Sequence, residues 1–162
     1  MRHAHAKDTF PDETRELSDY GVRQLDSLSR MLSPEMFSSV AQVWHSPYAR
    51  AKQTAEFFAA KMGMDVPLMS SERLTPDGVP ELAAREIASL ACFDADLLVV
   101  AHNPFIEGLA RELLAAKSDG YIAFGKAALS CWTLVEHPDA CRRTGVWSLD
   151  FLVSPETLTY TA

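Results

Sequence analysis

Apolar residues recur along this chain in two patterns, short continuous runs and helical spacing, which alternate from the N-terminus towards the C-terminus. Short, β-prone apolar runs predict strands at residues 40–44, 66–69 and 97–101. Apolar residues at helical spacing predict helices at residues 19–32, 48–62, 81–91 and 105–116. The third strand is an unbroken apolar run, which is typical of a strand buried on both faces.

The remaining segments complete an α/β pattern. Residues 127–135 and 146–153 predict two further strands joined by a polar turn, whereas residues 6–17 and 70–80 are polar, contain proline and predict loops. Alternating strands and helices imply βαβ units with a mostly parallel sheet. We therefore expect a three-layer α/β/α domain that spans residues 1–162.

Composition narrows the functions that this domain can have. The chain has 162 residues and a formal net charge of -7, which argues against a nucleic-acid-binding protein because such proteins usually carry a basic face. Neither a membrane span nor a signal peptide is visible. The three cysteines, Cys92, Cys131 and Cys141, form no C-x-x-C pair and are expected to be free thiols. These features predict a cytoplasmic protein without a nucleic-acid or membrane partner.

Candidate functional residues lie where the predicted strands end. Residues 45–47 and 102–104 each begin with histidine directly after a strand, and Arg2 and His3 lie at the start of the chain. Ligands in an open α/β sheet bind beyond the carboxyl ends of the strands. Arg50 falls in the first turn of the following helix, where free N–H groups and a guanidinium favour anions. The pattern predicts a phosphate pocket.

A metal site is the alternative for the same histidines. His3, His5 and His102 could supply three ligands, but no carboxylate or cysteine companion follows at a recognisable spacing. We therefore predict neither a metal nor another cofactor.

Four segments resemble motifs of the histidine phosphatase superfamily, and the match is best to its short, SixA-type phosphohistidine phosphatases. Residues 2–4 (Arg-His-Ala) resemble the Arg-His-Gly signature, with alanine in place of glycine. Residues 46–55 resemble the Ser-Pro-x-x-Arg-Ala-x-x-Thr-Ala motif, and residues 101–104 resemble the motif of the second histidine. Residues 15–21 are similar to an Arg-x-Leu-Thr-x-x-Gly segment, and the loop at residues 74–76 also fits.

The resemblance implies a phosphoglycerate mutase-like fold and a role for each matching residue. His3 would be the nucleophile that is transiently phosphorylated. Arg2, Arg50 and His102 would bind the phosphoryl oxygens, and Arg15 is a further candidate for substrate binding. This assignment agrees with the physics of phosphoryl transfer, which requires mainly positioning and charge stabilisation.

The sequence departs from the family pattern in two places. Family members have a strand before the Arg-His pair, but here only Met1 precedes it, so we expect a truncated first strand and a charged α-amino group close to Arg2. Mutase-like members also carry an acidic residue in the loop after the third strand. Glu72 and Asp77 lie in that region, but neither stands in a matching motif.

Three functions are compatible with these motifs. The first is a phosphatase with a phosphohistidine intermediate that acts on phosphohistidine in a protein, for example a histidine-containing phosphotransfer domain. This substrate is favoured because neither Glu72 nor Asp77 matches the motif of a catalytic acid, and an imidazole can leave as a neutral group without one. The second is a phosphatase for small phosphomonoesters, with Asp77 or Glu72 as the acid. The third is a non-catalytic module that binds a phosphorylated ligand.

Overall fold

A parallel sheet of three strands forms the centre of the computed structural model, which describes residues 1–90, 95–114 and 122–158. The strands are β1 (Val40–His45), β2 (Leu68–Ser70) and β3 (Asp96–Val100). β1 lies between the other two and pairs in parallel with both. The three predicted strands are confirmed, with ends shifted by one or two residues.

Four helices accompany this sheet, namely α1 (Asp19–Ser29), α2 (Ala49–Lys61), α3 (Pro80–Leu90) and α4 (Phe105–Leu113). Ser18 caps α1 as predicted, because its side chain accepts a hydrogen bond from the amide of Gly21. Gly63 follows α2 with a φ of 68°, a left-handed conformation that glycine adopts without strain. For α3 and α4, the predicted ends at residues 91 and 116 lie outside the described residues.

The helices pack on both faces of the sheet. Successive side chains of a strand point to opposite faces. Val43 and Val100 accordingly belong to a core cluster with α1 and α2, which contribute Leu25, Leu28, Ala51, Ala55 and Phe58. Their neighbours Trp44 and Val99 pack in a second cluster with α3 and α4, which contribute Ala83, Ala84, Phe105 and Leu109. The predicted three-layer architecture is confirmed.

The last two predicted strands form an antiparallel hairpin rather than a continuation of the parallel sheet. They are β4 (Leu129–Glu136) and β5 (Val146–Val153). Gly145 lies in the connecting turn with a φ of 72°, and a Cβ atom at this position would lie 2.4 Å from the carbonyl oxygen of Glu136. A side chain at residue 145 is therefore incompatible with this turn.

Residues 1–3 connect the parallel sheet to the hairpin. Arg2 forms a parallel bridge with Ala101, and its amide donates to the carbonyl oxygen of Ala128 at 2.9 Å. The amide of Ala101 in turn donates to the carbonyl oxygen of Met1 at 3.0 Å. Residues 1–3 thus lie between the end of β3 and the segment that leads into β4.

The environment of Met1 corrects one expectation. Met1 is buried, and its amino group donates to the carbonyl oxygen of Val99 at 2.7 Å. Burial lowers the pKa of this amino group to about 5, so that it is uncharged at neutral pH and adds no positive charge to the site. Next to Met1, between β3 and β4, lies a cavity of about 290 Å³ lined by apolar residues that include Leu98, Leu109, Trp132 and Phe151.

Two further observations concern the expected cellular context. In the parts of the chain that the structure describes, no helix combines the length and apolar character needed to cross a membrane. Cys131 and Cys141 are free thiols, and Cys92 lies outside the described residues.

Candidate active site

His3 is fixed by backbone hydrogen bonds on both sides. Its amide donates to the carbonyl oxygen of Ala101 at 3.0 Å, and its own carbonyl oxygen accepts from the amide of Ala127 at 3.2 Å. The side chain is buried. The residue is thus held between the end of β3 and the segment that leads into β4, at the edge of the sheet where we expected a ligand.

The hydrogen bond of the His3 ring defines its tautomer. Nδ1 lies 2.7 Å from the carbonyl oxygen of Ala4, which can only accept, so Nδ1 carries the proton and Nε2 presents a lone pair. Burial, and then the positive charge of Lys126 and the proximity of His102, lower the pKa of His3 to about 2. His3 is therefore a neutral imidazole with a nucleophilic nitrogen at neutral pH.

Arg50 brings a buried guanidinium to that nitrogen. Its Nε donates to His3 Nε2 at 3.3 Å, while its other nitrogens donate to Asp12, to the carbonyl oxygen at 2.6 Å and to the carboxylate at 2.9 Å. The ring of Tyr48 lies 4.9 Å from the guanidinium carbon. Residues 46–55 thus follow β1 directly and include the first turns of α2, which aim Arg50 at His3.

His102 lies directly after β3 and completes this group. Its ring centroid is 4.8 Å from that of His3 and 5.1 Å from that of Tyr48. It is almost fully buried, yet neither ring nitrogen has a hydrogen-bond partner among the described residues. Burial, and then the charges of Arg50 and Lys126, lower the pKa of His102 to about 3. A neutral ring whose nitrogens have no described partner, beside His3, is suited to bind an oxygen of a ligand.

Arg2 also lines this site. One of its terminal nitrogens donates to the carbonyl oxygen of Phe124, whereas the buried Nε has no partner among the described residues. Asn103 donates to the same carbonyl oxygen at 3.2 Å and to Glu107 at 2.6 Å. Burial lowers the pKa of Arg2, and the negative charges of Glu107 and Glu156 oppose that shift. The Phe124 carbonyl therefore holds the guanidinium in place.

These residues surround a cavity of about 180 Å³ with the following described lining: Arg2, His3, His5, Ala6, Arg15, Arg50, His102, Asn103 and Lys126. Arg2, His3, Arg50 and His102, predicted as a phosphate pocket, thus line one cavity together with Arg15. Arg15 reaches Asp12, to which it donates at 3.1 Å, and the carbonyl oxygen of Lys7 at 2.7 Å.

Two residues of this site were not predicted from the sequence. Lys126 places its Nζ 3.4 Å from His3 Nε2, and Asp12 bridges Arg50 and Arg15. Partial burial favours a higher pKa for Asp12, but hydrogen bonds from Arg50 and Arg15 outweigh it and hold this pKa below its usual value. No motif marks either residue. A lone lysine in a glycine-containing loop and an aspartate in a polar loop are common surface features.

The candidate metal ligands and the candidate acids do not form a second site in the described residues. His5 directs Nδ1 to the hydroxyl of Ser18 at 2.8 Å, and no group of three or more His, Cys, Asp or Glu side chains among the described residues is placed to hold a metal ion. Glu72 and Asp77 are exposed and do not line the cavity. The described lining of the pocket therefore contains cationic and imidazole groups but no carboxylate, and Asp12 and Glu107 bind lining residues from outside it.

Comparisons with known proteins agree with this fold. Residues 2–75 match the model of the histidine phosphatase superfamily (branch 1). The fold is similar to that of the protein histidine phosphatase SixA complexed with tungstate, with a TM-score of 0.82 and 24% identity over 98% of this chain and 96% of that one. A protein from Nakamurella multipartitia described as a SixA phosphohistidine phosphatase has a TM-score of 0.73 and 22% identity over 96% and 93%.

More distant structures share the fold as well. One is a phosphoserine phosphatase from Entamoeba histolytica in complex with 3-phosphoglyceric acid, with a TM-score of 0.62 and 15% identity over 94% of each chain. A sequence comparison with curated proteins finds no significant match. The predicted resemblance to the histidine phosphatase superfamily is confirmed, and the phosphoglycerate mutase-like fold is confirmed with it.

Proposed function

We propose that this protein is a phosphatase that transfers a phosphoryl group to His3 and then to water, and that it acts on phosphohistidine in a protein. The observation that carries the proposal is the state of His3. Its neutral ring presents Nε2 to a cavity in which Arg2, Arg50 and His102 converge. A nucleophile surrounded by groups that stabilise negative charge is what phosphoryl transfer needs.

In the first step the lone pair of Nε2 forms a bond to phosphorus. The bond between phosphorus and the leaving group breaks, and the leaving group keeps that electron pair. Arg2 and Arg50 neutralise the charge that spreads over the equatorial phosphoryl oxygens, and a ring nitrogen of His102 binds one of them. The proton on Nδ1 stays with His3, where the carbonyl oxygen of Ala4 stabilises the cationic phosphohistidine ring.

In the second step a water oxygen attacks phosphorus from the side that the first product has left. The bond between phosphorus and Nε2 breaks, its electron pair returns to Nε2, and the water loses a proton to the phosphate or to solvent. Inorganic phosphate leaves, and His3 regains its neutral form. The covalent intermediate divides one displacement into two steps.

The leaving group is the basis for proposing phosphohistidine. An alkoxide needs a proton donor near neutral pH. Glu72 and Asp77 do not line the cavity, and Asp12 is held by Arg50 and Arg15. An imidazole leaves as a neutral group once its other ring nitrogen carries a proton, so it needs no such donor. The similar fold of the protein histidine phosphatase SixA supports the same choice, and a phosphotransfer domain is the partner that we propose.

A small phosphomonoester is the second candidate substrate. Its support is the similar fold of the phosphoserine phosphatase in complex with 3-phosphoglyceric acid. In that case Asp12, the carboxylate bound to Arg50, would have to release this guanidinium before it could donate a proton.

A substrate panel tests the proposal. The protein is incubated with a phosphorylated histidine-containing phosphotransfer domain, a sugar phosphate and an aryl phosphate, and phosphate release is measured for each. His3→Ala should abolish turnover and the acid-labile, alkali-stable adduct on the protein, whereas His137→Ala on the exposed hairpin turn is the matched control. Fastest turnover of the sugar phosphate would favour the second candidate. Binding without turnover of any substrate would favour a non-catalytic module.

A further inference from the structure

The loop that carries Lys126 is tied to the nucleophile by its backbone. The amide of Ala127 donates to the carbonyl oxygen of His3, and the carbonyl oxygen of Ala128 accepts from the amide of Arg2. Ala127 adopts a φ of 58°, a left-handed conformation that is unfavourable for a residue with a side chain. The chain therefore accepts local strain at the turn that places Lys126 beside His3.

The side chain of Lys126 completes an unbalanced positive cluster. Its Nζ lies 3.4 Å from His3 Nε2, and among the described residues no carboxylate lies within ion-pair distance of it. Burial, and then the charges of Arg2, Arg50 and Arg15, lower the pKa of Lys126 to about 8. A half-buried cation that is placed among other cations without a neutralising carboxylate is stabilised by a bound anion.

The charged groups around Lys126 lie on three different segments of the chain. Arg2 approaches from the N-terminal segment and Arg50 from α2, while Arg15 and Asp12 lie on the loop between His5 and α1. Asp12 forms ion pairs with Arg50 and Arg15, and these two cations largely offset its negative charge at Lys126. Glu107 and Glu156 act on Arg2.

We propose that Lys126 is a phosphoryl-binding residue of this site, in addition to Arg2, Arg50 and His102. Its ammonium group faces the nitrogen to which phosphorus becomes bonded, so that it can donate a charge-assisted hydrogen bond to an equatorial oxygen of the transferred group. This inference rests on the proposed function. Lys126 would be the third cation, after Arg2 and Arg50, that binds the dianionic phosphoryl group. Binding of this group would then depend on the protonation of Lys126.

The pH dependence follows from the direction of the pKa shift. Lys126 is charged below its pKa of about 8 and neutral above it, so kcat/KM should fall as pH rises through that value. The phosphoryl group itself is already dianionic there, because a phosphate ester loses its second proton near a pH of about 6. A bound phosphoryl group raises the pKa of Lys126, so the alkaline decline of kcat should lie at higher pH than that of kcat/KM.

Two variants and one control test the inference with two measurements. Lys126→Met should weaken the binding of inorganic phosphate, measured by calorimetry at a pH of about 7, by roughly 10- to 100-fold, as expected for one charge-assisted hydrogen bond. It should also lower kcat/KM for an aryl phosphate and remove the alkaline decline. Lys126→Arg should retain phosphate binding and shift the decline to higher pH, because arginine stays protonated. Lys52→Met on the exposed side of α2 should match the wild type.

The outcomes separate this inference from the proposed function. Equal phosphate affinity and an unchanged pH profile in the wild type and Lys126→Met would overturn the role of Lys126, whether or not the protein is a phosphatase. A wild type that binds phosphate in a Lys126-dependent manner but never forms a phosphoenzyme would overturn the proposed function and retain the role of Lys126. A wild type that fails to bind phosphate would overturn both.

Discussion

The amide of Ala4 donates to Thr54 Oγ1 at 3.1 Å, and the hydroxyl of Thr54 donates to the carbonyl oxygen of Arg50 at 2.6 Å. Thr54 is fully buried. One side chain thus joins the segment that carries His3 to the first turn of α2, which carries Arg50. The threonine of the motif at residues 46–55 thus fixes the distance between His3, the proposed nucleophile, and Arg50, a proposed phosphoryl-binding residue.

Thr54→Val tests this connection because valine has nearly the same shape but lacks the hydroxyl. The buried amide of Ala4 loses its partner, which should lower the free energy of unfolding by about 1–3 kcal/mol. Activity should fall as well, since the segment with His3 is no longer fixed to α2. Urea unfolding and kcat/KM measure the two effects.

Thr133→Val is the matched control for that substitution. Thr133 is an exposed residue of β4, and its hydroxyl donates to Asp150 at 2.8 Å. This change should alter stability by less than about 0.5 kcal/mol. Similar losses in both variants would show that the hydroxyl of Thr54 has no special role.

The buried histidines predict how stability depends on pH. His3 and His102 have folded-state pKa values of about 2 and about 3, whereas an unfolded histidine titrates near ~6.5. Between these values the unfolded chain binds more protons, so stability is complete above a pH of about 6.5 and falls as pH decreases. Each histidine contributes a limiting slope of about 1.4 kcal/mol per pH unit.

Urea unfolding at several pH values between about 5 and 7 measures this slope, and His102→Asn should reduce it. The control is His137→Asn on the exposed hairpin turn, for which the slope should stay at the wild-type value. An unchanged slope in His102→Asn would mean that His102 is protonated in the folded protein.

Oxyanion binding should define the shared site. In crystals soaked with tungstate, we expect the anion within ~2.7–3.2 Å of His3, Arg50 and His102. Arg50 then exchanges its contacts with Asp12 for contacts with the anion, because a dianion is the stronger acceptor. An anion bound elsewhere, with the three side chains unchanged, would contradict a common pocket.

Chelation tests the metal hypothesis separately. His3 is expected to act as a nucleophile and His5 is bound to Ser18, so treatment with EDTA should leave turnover unchanged. Loss of turnover that one divalent ion restores would instead support His3, His5 and His102 as ligands.

Much of the fold and the central part of the site follow from local patterns. The apolar run before His102 predicts a buried strand, and the position of His102 at its end is then a consequence of sheet topology. Arg50 follows in the same way from the start of a helix. Local patterns of this kind also locate β4 and β5, but not their antiparallel pairing, which depends on contacts across the chain.

The missed residues differ because tertiary contacts alone bring them to the site. Lys126 is 123 positions from His3 in sequence and meets it through the backbone bonds of Ala127. Asp12 is 38 positions from Arg50 in sequence, and the fold brings its carboxylate within 2.9 Å of that guanidinium. Neither contact has a periodic or motif pattern that the sequence could show.

The last prediction concerns the edge of the sheet next to Met1. The carbonyl oxygen of Val99 and the amide of Ala101 are bonded to Met1, and Arg2 runs parallel to β3. Residues added before Met1 would continue this direction along Leu97 and Leu98 into the apolar cavity of about 290 Å³. An extended, β-prone segment there would fill the cavity and pair with backbone groups of β3.

We therefore expect an engineered extension of about five alternating Val and Thr residues before Met1 to stabilise the protein. Each kcal/mol gained should raise the melting temperature by about 2–4 °C in a chain of this size. Turnover should rise too, because the extension anchors the segment that positions His3. The control is a Gly-Ser extension of equal length, which has low β propensity and no apolar side chains. Equal melting temperatures and equal rates for the two extensions would show that three residues suffice to hold His3 in place.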